Sequence, residues 1–386
     1  MTKSTHSVKG LITLRLCLLV VLMTGFSISC RKANIDKNDL RDFQQVNLVS
    51  NNGADGPVLN DPTLQNAWGI AWSPTGIAWV NSEASHLSHL YTGEGAIVRP
   101  AVNIPSPTDT IGGAPTGIVF AGGAGFTLSN GQAAAFLFAG DDGVISGWNA
   151  AAGNNAIRIA NNSGNSGYFG LALATWNGAH FLYAANFMAG RIDVWDTTFS
   201  PVSMPFNDPG LPASYSPFNI QSIGSWLFVM YAKVGPDGDE IHQTGLGLVD
   251  VFNPDGSFVK RFATGGTLNS PWGAAMTPAN FLSDNDMTMD DGSNQKNIPA
   301  VVNSIDNDQS PAILIGNFGD GHINVYTMDG HFRGLLQKHK QAITIDGLWA
   351  LSFAPTSATT IDPTRLYFSA GPKDETDGLF GYLIKK

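Results

Sequence analysis

Cysteine is all but missing from this chain: there are two, Cys17 and Cys30, in 386 residues. A fold held by disulfides, or by a cysteine-ligated metal, is thereby excluded. Charge is also scarce, with Asp, Glu, Lys and Arg making up 13% of the residues. The formal net charge is −10, and Lys and Arg are scattered without a basic tract. That balance argues against nucleic acid and anionic lipid surfaces as partners. Long amphipathic helical periods are absent. There is no Gly-x-Ser-x-Gly elbow, no P-loop and no His-Glu-x-x-His.

What is present begins with a leader. Lys3, Lys9 and Arg15 precede an apolar run from Leu16 to Ile28, with no acid before Cys30. The run falls short of the roughly 20 apolar residues a spanning helix needs. A charged start and a short apolar stretch form a secretory signal. It ends Ser27-Ile28-Ser29-Cys30, a small residue directly before cysteine, which resembles a bacterial lipobox. On that reading residues 1–29 are a lipoprotein signal peptide and Cys30 carries the lipid, since two or more acyl chains anchor stably. The other reading is a plain signal peptide with Cys30 a bystander. Removing the leader takes the net charge from −10 to −13 and leaves no other thiol. Residues 30–41 are mostly polar and read as a flexible tether, followed by a folded domain over 42–386.

Past the tether, Gly, Ala, Asn and aromatics dominate, as in all-β chains with tight turns. The chain also repeats. One phrase joins an aromatic or small residue, a Gly or substitute, and an alternating apolar run. Its six copies start at Ala67-Trp68-Gly69, Pro115-Thr116-Gly117, Tyr168-Phe169-Gly170, Pro217-Phe218-Asn219, Pro271-Trp272-Gly273 and Leu348-Trp349-Ala350. A second phrase follows each: an apolar strand, then a small residue, then a polar one, as in Leu182-Tyr183-Ala184-Ala185-Asn186. A third ends on an aromatic, as in Arg191-Ile192-Asp193-Val194-Trp195. Period-two alternation marks half-buried strands. Six repeats of three or four strands predict an all-β, six-bladed β-propeller. The last repeat lacks a fourth strand, and Phe43–Val49 can supply it, closing the ring through an N-terminal strand in the last blade.

The polar residues ending the second phrase form a ring around one mouth of the central channel. They are Asn81, Asp141, Asn186, Lys233, Asn317 and Lys373, joined by Asn219, Asn269 and Asp346 before the inner strands, with Glu83 and Asp142 just beyond. Carboxylate and amide oxygens suit Ca²⁺, whereas two lysines favour an anionic ligand. Set against both is the ordinary use of Asn and Asp to bond exposed backbone where loops begin. His86 and His89 have a zinc-like spacing without an evident third ligand. Six aspartates between Phe281 and Gln309 do not match an EF-hand and read as a solvated loop.

Several phrases, in order, carry a resemblance: Asn66-Ala67-Trp68-Gly69, Ala114-Pro115-Thr116-Gly117, Pro217-Phe218-Asn219-Ile220-Gln221, Gly316-Asn317-Phe318-Gly319-Asp320-Gly321 and Ala370-Gly371-Pro372. Together they resemble a family of exported bacterial proteins of uncharacterised function, over nearly the whole mature chain. That family is similar to NHL-repeat and gluconolactonase-like six-bladed propellers. The resemblance implies the fold and leaves the chemistry open. In gluconolactonase-like propellers a divalent ion at the mouth, held by Glu, Asn and Asp, activates water for lactone opening; that full set cannot be placed here residue by residue.

Two functions follow from different classes. The first is a monomeric binding or scaffold module of the cell envelope, held to the membrane only through its lipid, on the periplasmic or outer-membrane face. Its partner would be a protein, a glycan or a small ligand. The second is a divalent-metal-dependent hydrolase or lactonase working at the channel mouth.

Overall fold

A computed structural model describes residues 35, 37–54, 56–282 and 311–386. Cys30, and the aspartate-rich stretch from 283 onward, lie outside the described residues.

The chain forms six blades in cyclic order, antiparallel except where the short strand Leu59–Asn60 pairs parallel with Phe43–Ser50. The inner strands are Ala67–Trp72, Pro115–Phe120, Tyr168–Trp176, Tyr215–Ile223, Pro271–Met276 and Leu348–Phe353. Blades 1, 2, 4 and 5 have four strands each, and blade 3 has three. In blade 6 the strand Phe43–Ser50 pairs antiparallel with Leu379–Lys385. The ring is therefore closed by the N-terminal strand, as the missing fourth strand required.

The strands are buried more completely than alternation suggested. Gly247–Phe252 and Ala312–Asn317 have no exposed residue at all. The reason is that blades stack face to face, so both sides of a strand meet a core. In blade 3, Leu182 and Ala184 pack toward blade 2, while Tyr183 and Ala185 pack toward blade 4. Six such inter-blade cores run round the ring, and a seventh, aromatic one occupies the axis. Only outer strands such as Ile97–Asn103 show one wet face.

The glycine in the first phrase has a packing cause. Inner strands converge on the axis, so Gly69, Gly117, Gly170 and Gly273 lie against the next blade's backbone. A Cβ on Gly117 would come 2.6 Å from the Leu171 nitrogen, and one on Gly273 2.7 Å from the Trp349 carbonyl.

The folded unit begins earlier than the polarity of residues 30–41 implied. Lys37–Leu40 forms a 3₁₀ turn, and Ile35 and Leu40 are buried in the core shared by blades 5 and 6. These two residues are the apolar members of an otherwise polar stretch. Burying them draws the domain boundary back from 42 to about residue 35.

Because that close approach is backbone against backbone, Gly117→Ala should cost about 1–3 kcal/mol, the usual range for overpacking. Urea denaturation followed by tryptophan fluorescence measures it; a change within error would mean that the inner strands have slack.

Candidate functional site

Each inner strand slips register near its start, for example between Ala67 and Ile70 and between Tyr168 and Gly170. A bulge re-aims the side chain it carries. Trp68, Phe169, Phe218, Trp272 and Trp349 all sit at these bulges and meet in the axial cluster with Phe187 and Phe318. Trp68 stacks on Trp349 at 3.6 Å and 14°, and Phe318 stacks on Trp349 at 3.8 Å and 15°. The channel is thus floored by aromatic rings.

A cavity of about 440 Å³ opens over that floor. Trp68, Phe169, Phe318 and Trp349 form its base. Its wall carries seven carboxylates: Glu83, Asp141, Asp239, Glu240, Asp346, Asp374 and Glu375. His242 is the one cationic-capable residue among those lining it.

Asn66 joins wall to floor. Its backbone is left-handed, φ +45°, and its side chain is buried. The Asn66 amide donates to Glu83 at 3.2 Å and to Glu375 at 3.3 Å, and its oxygen accepts from Trp349 Nε1 at 3.0 Å. Glu375 reaches it through three successive left-handed residues, Lys373, Asp374 and Glu375, with φ +55°, +51° and +64°. On the facing side the loop after Lys233 folds back on itself. Ile241 N donates to the Lys233 carbonyl at 2.8 Å, and Gly235 N to the Asp239 carbonyl at 2.6 Å. His242 Nε2 lies 3.0 Å from Glu240 Oε1, with its ring edge-on to Phe318.

Burial and neighbouring acids raise two of the wall carboxylates. Burial pushes the Asp141 carboxyl up to about 7, helped by the charges of Glu83, Asp142 and Glu375. Glu375 is likewise pushed to about 7 by burial and by Glu240 and Glu83, against the hydrogen bond from Asn66. Burial raises Asp142 as well. The Glu240 hydrogen bond holds His242 above the ordinary imidazole value.

The ring read from sequence divides into two sets. Asp141 and Asp346 line the cavity. Asn81, Asn186, Asn219 and Asn317 are fully or almost fully buried and spend their amides on the protein's own groups. Asn81 donates to the Thr116 carbonyl at 2.9 Å, Asn219 to the Trp272 carbonyl at 2.7 Å, and Asn317 to the Thr267 carbonyl at 2.8 Å. Asn186 donates to Asp193 Oδ2 at 2.7 Å. Neither lysine is among the lining residues: Lys373 is exposed and ion-pairs with Asp377 at 2.5 Å. The anionic ligand that two lysines suggested therefore meets a wall of the wrong sign. Asn269 donates to Asp320 at 3.3 Å behind Gly319.

His86 and His89 do not share a site. His86 Nδ1 lies 2.8 Å from the Gly113 carbonyl, while buried His89 sits between Asp61, at 3.4 Å, and the Thr63 carbonyl, at 3.1 Å. Among the described residues, no three His, Cys, Asp or Glu side chains are grouped so as to hold a metal ion. The mouth offers a cation a field and a π surface in place of a coordination shell.

Six polar cavity residues were not in the ring read from sequence: Asn66, Asp239, Glu240, His242, Asp374 and Glu375. That reading stopped at the first polar residue after each strand, whereas the left-handed turn and the folded-back loop carry later acids over the mouth. The signal available was the pairing of two acids in Asp239-Glu240 and again in Asp374-Glu375, both close behind second-phrase strands.

Asp141 and Glu375 have folded-state values above those of the unfolded chain. Stability from this source is complete below about pH 4 and is lost as pH rises through about 7. Asp141→Asn should therefore melt above the parent at pH 8, with the gain fading toward pH 5. Thermal denaturation at both pH values checks this; an equal shift at each would trace the effect to packing.

No protein-family model matches the chain. The uncharacterised protein L690 of Acanthamoeba polyphaga mimivirus is 32% identical over 347 residues, spanning 84% of this chain and 81% of the viral one. The uncharacterised protein R648 of the same virus is 28% identical over 357 residues, spanning 88% and 80%. These relatives are viral, where the sequence motifs suggested bacterial ones. Among solved structures, a streptogramin B lyase aligns over 88% of this chain and 96% of its own, at 14% identity and a TM-score of 0.46. Virginiamycin B lyase from Staphylococcus aureus aligns over 89% and 99%, at 13% identity and a TM-score of 0.42. With about a third of its residues shared with L690 along most of both chains, this six-bladed propeller belongs to the family of that mimivirus protein.

Proposed function

We propose that the protein is an exported, lipid-anchored binding propeller whose ligand is an organic cation held at the channel mouth. The observation that carries the reading is the cavity itself: seven carboxylates around a floor of stacked indole and phenyl rings. An ammonium group gains from both, through Coulomb attraction to the wall and through cation–π contact with Trp68 or Phe318, the outer rings of the stack around Trp349. The rings also take an apolar body, so a small amine or quaternary ammonium compound fits better than a bare ion. A volume of about 440 Å³ lies in the range of small-molecule sites.

The metal-dependent hydrolase stays the second reading by class, but the wall carboxylates do not converge into a ligand set. Export and anchoring are supported by the leader and by Cys30 as the lone thiol after it.

Calorimetry with a panel of amines and quaternary ammonium ions, each paired with a neutral isostere, tests the ligand class. The cations should bind and the isosteres should not. Glu375→Gln should weaken binding about tenfold, equivalent to about 1.4 kcal/mol. For a permanent cation, affinity should rise with pH through about 7, as Asp141 and Glu375 ionise and His242 loses its proton. Neutral isosteres binding as well as cations, or flat pH dependence, would refute the reading. For the anchor, a palmitate analogue should label the expressed protein and leave Cys30→Ala unlabelled.

A further inference from the structure

Tryptophan is placed unevenly. The chain has nine. Seven are at most 7% exposed, while Trp176 is 37% and Trp226 39% exposed. Trp176 ends the inner strand of blade 3, and Trp226 opens the second strand of blade 4, Trp226–Lys233. Both therefore sit at the tips of inner hairpins, at the end opposite the cavity. The next blade repeats the arrangement: Met276 ends its inner strand and is 40% exposed. Three consecutive blades thus each leave a large apolar side chain in water on one face.

The chain's N-terminal end reaches the same face. Phe43 pairs with Lys385, at the end of the closing blade far from the cavity. Phe43 also packs on Phe281, five residues beyond Met276. Lys385 Nζ donates to the Asp39 carbonyl at 3.0 Å and to the Leu282 carbonyl at 2.5 Å. Only four residues separate Cys30 from buried Ile35. An extended chain advances at most about 3.6 Å per residue, so lipid on Cys30 would hold Ile35 within about 18 Å of a bilayer surface.

We infer that the face opposite the cavity docks on a lipid bilayer, with Trp176, Trp226 and Met276 at headgroup level and the cavity mouth turned to solvent. This rests on the lipid-anchor reading of Cys30. Indole is amphipathic and concentrates at the membrane–water boundary. The cavity's carboxylates lie on the far face in this orientation, and a zwitterionic surface sets no repulsive potential against the acids elsewhere in the chain. Docking of the apolar tips would add a second, weak membrane contact to the lipid and fix the orientation that a tether alone leaves free.

The mature chain has no thiol besides Cys30, so one introduced cysteine can be labelled uniquely. The full chain, processed and lipidated in its host, would carry Trp226→Cys bearing an environment-sensitive fluorophore and be placed in phosphatidylcholine vesicles containing doxyl lipid. Trp176→Cys serves the same purpose should the first variant fail to fold. Met188→Cys, at a 61% exposed position on the cavity face, is the reference. The expected result is a blue-shifted probe that loses most of its emission at position 226 or 176, and an unshifted, unquenched probe at 188. Palmitate labelling with no quenching at 226 and 176, or with equal quenching at 188, overturns the docking and leaves the anchor standing. No labelling at Cys30 overturns the anchor and the docking together.

Discussion

Each inner strand breaks register one or two residues after it starts, and the whole axial region depends on that bulge. In a ladder buried on both faces, a bulge strands a carbonyl where no water reaches it. The neighbouring blade satisfies it. Asn81 reaches the Thr116 carbonyl, Thr116 Oγ1 the Tyr168 carbonyl at 2.5 Å, Asn219 the Trp272 carbonyl, and Ser369 the Trp68 carbonyl. Small polar side chains therefore stitch four of the six blade junctions at the inner strands. Removing one partner would leave a buried acceptor unmet, which costs about 1–3 kcal/mol. Such residues are buried, polar and repeated, the same signature a ligand ring would have, yet their bonds are spent on backbone.

The same bulges build the floor. By turning one residue per blade toward the axis, they bring five aromatic rings together where an unbroken strand would keep its side chains between blades. Blade 2 has Thr116 at that place, and its hydroxyl takes a backbone carbonyl instead. The wall then needs acids set above the rings, and loops with unusual backbones place them. Left-handed conformations cost ordinary residues about 1–2 kcal/mol each. Three in succession, at Lys373, Asp374 and Glu375, are held by the Glu375 N to Gly371 carbonyl bond at 3.1 Å and by the Asn66 side chain.

Fold was legible because it is written six times over. The phrase with aromatic, glycine and apolar residues recurs since every inner strand meets the same geometry: a bulge, a close backbone neighbour and two cores. The need for closure followed from a strand count one short in the last repeat. The site was far less legible. In the sequence Asn81 and Asp141 look alike, each the first polar residue after a second-phrase strand, but register sets them two residues apart: Asp141 matches Glu83, and both acids line the cavity, while Asn81 lies inside its strand and bonds the next blade's backbone. That offset depends on where the inner strand's bulge falls, which no single repeat shows. Glu375 and Glu240 were missed for a related reason: their positions are fixed by turns in which consecutive residues reverse direction, and no periodicity marks these.

The clustering of acids at the mouth also links stability to binding. Asp141 and Glu375 are raised to about 7 by burial and by neighbouring acidic charges, so ionising them works against the empty fold. A bound cation would reverse the sign of that interaction at the same atoms. Binding energy then includes the relief of carboxylate repulsion, beyond the direct attraction that a single exposed acid could supply. The propeller can sustain such repulsion because its stability comes from six inter-blade cores, none of which the mouth residues complete. A small domain with one core would have less margin for it, since total stabilities are only about 5–15 kcal/mol. The ring of blades is in this sense the condition for the charge at its centre: a closed scaffold, stitched at its bulges, holds like charges at a distance that a flexible loop would relax away.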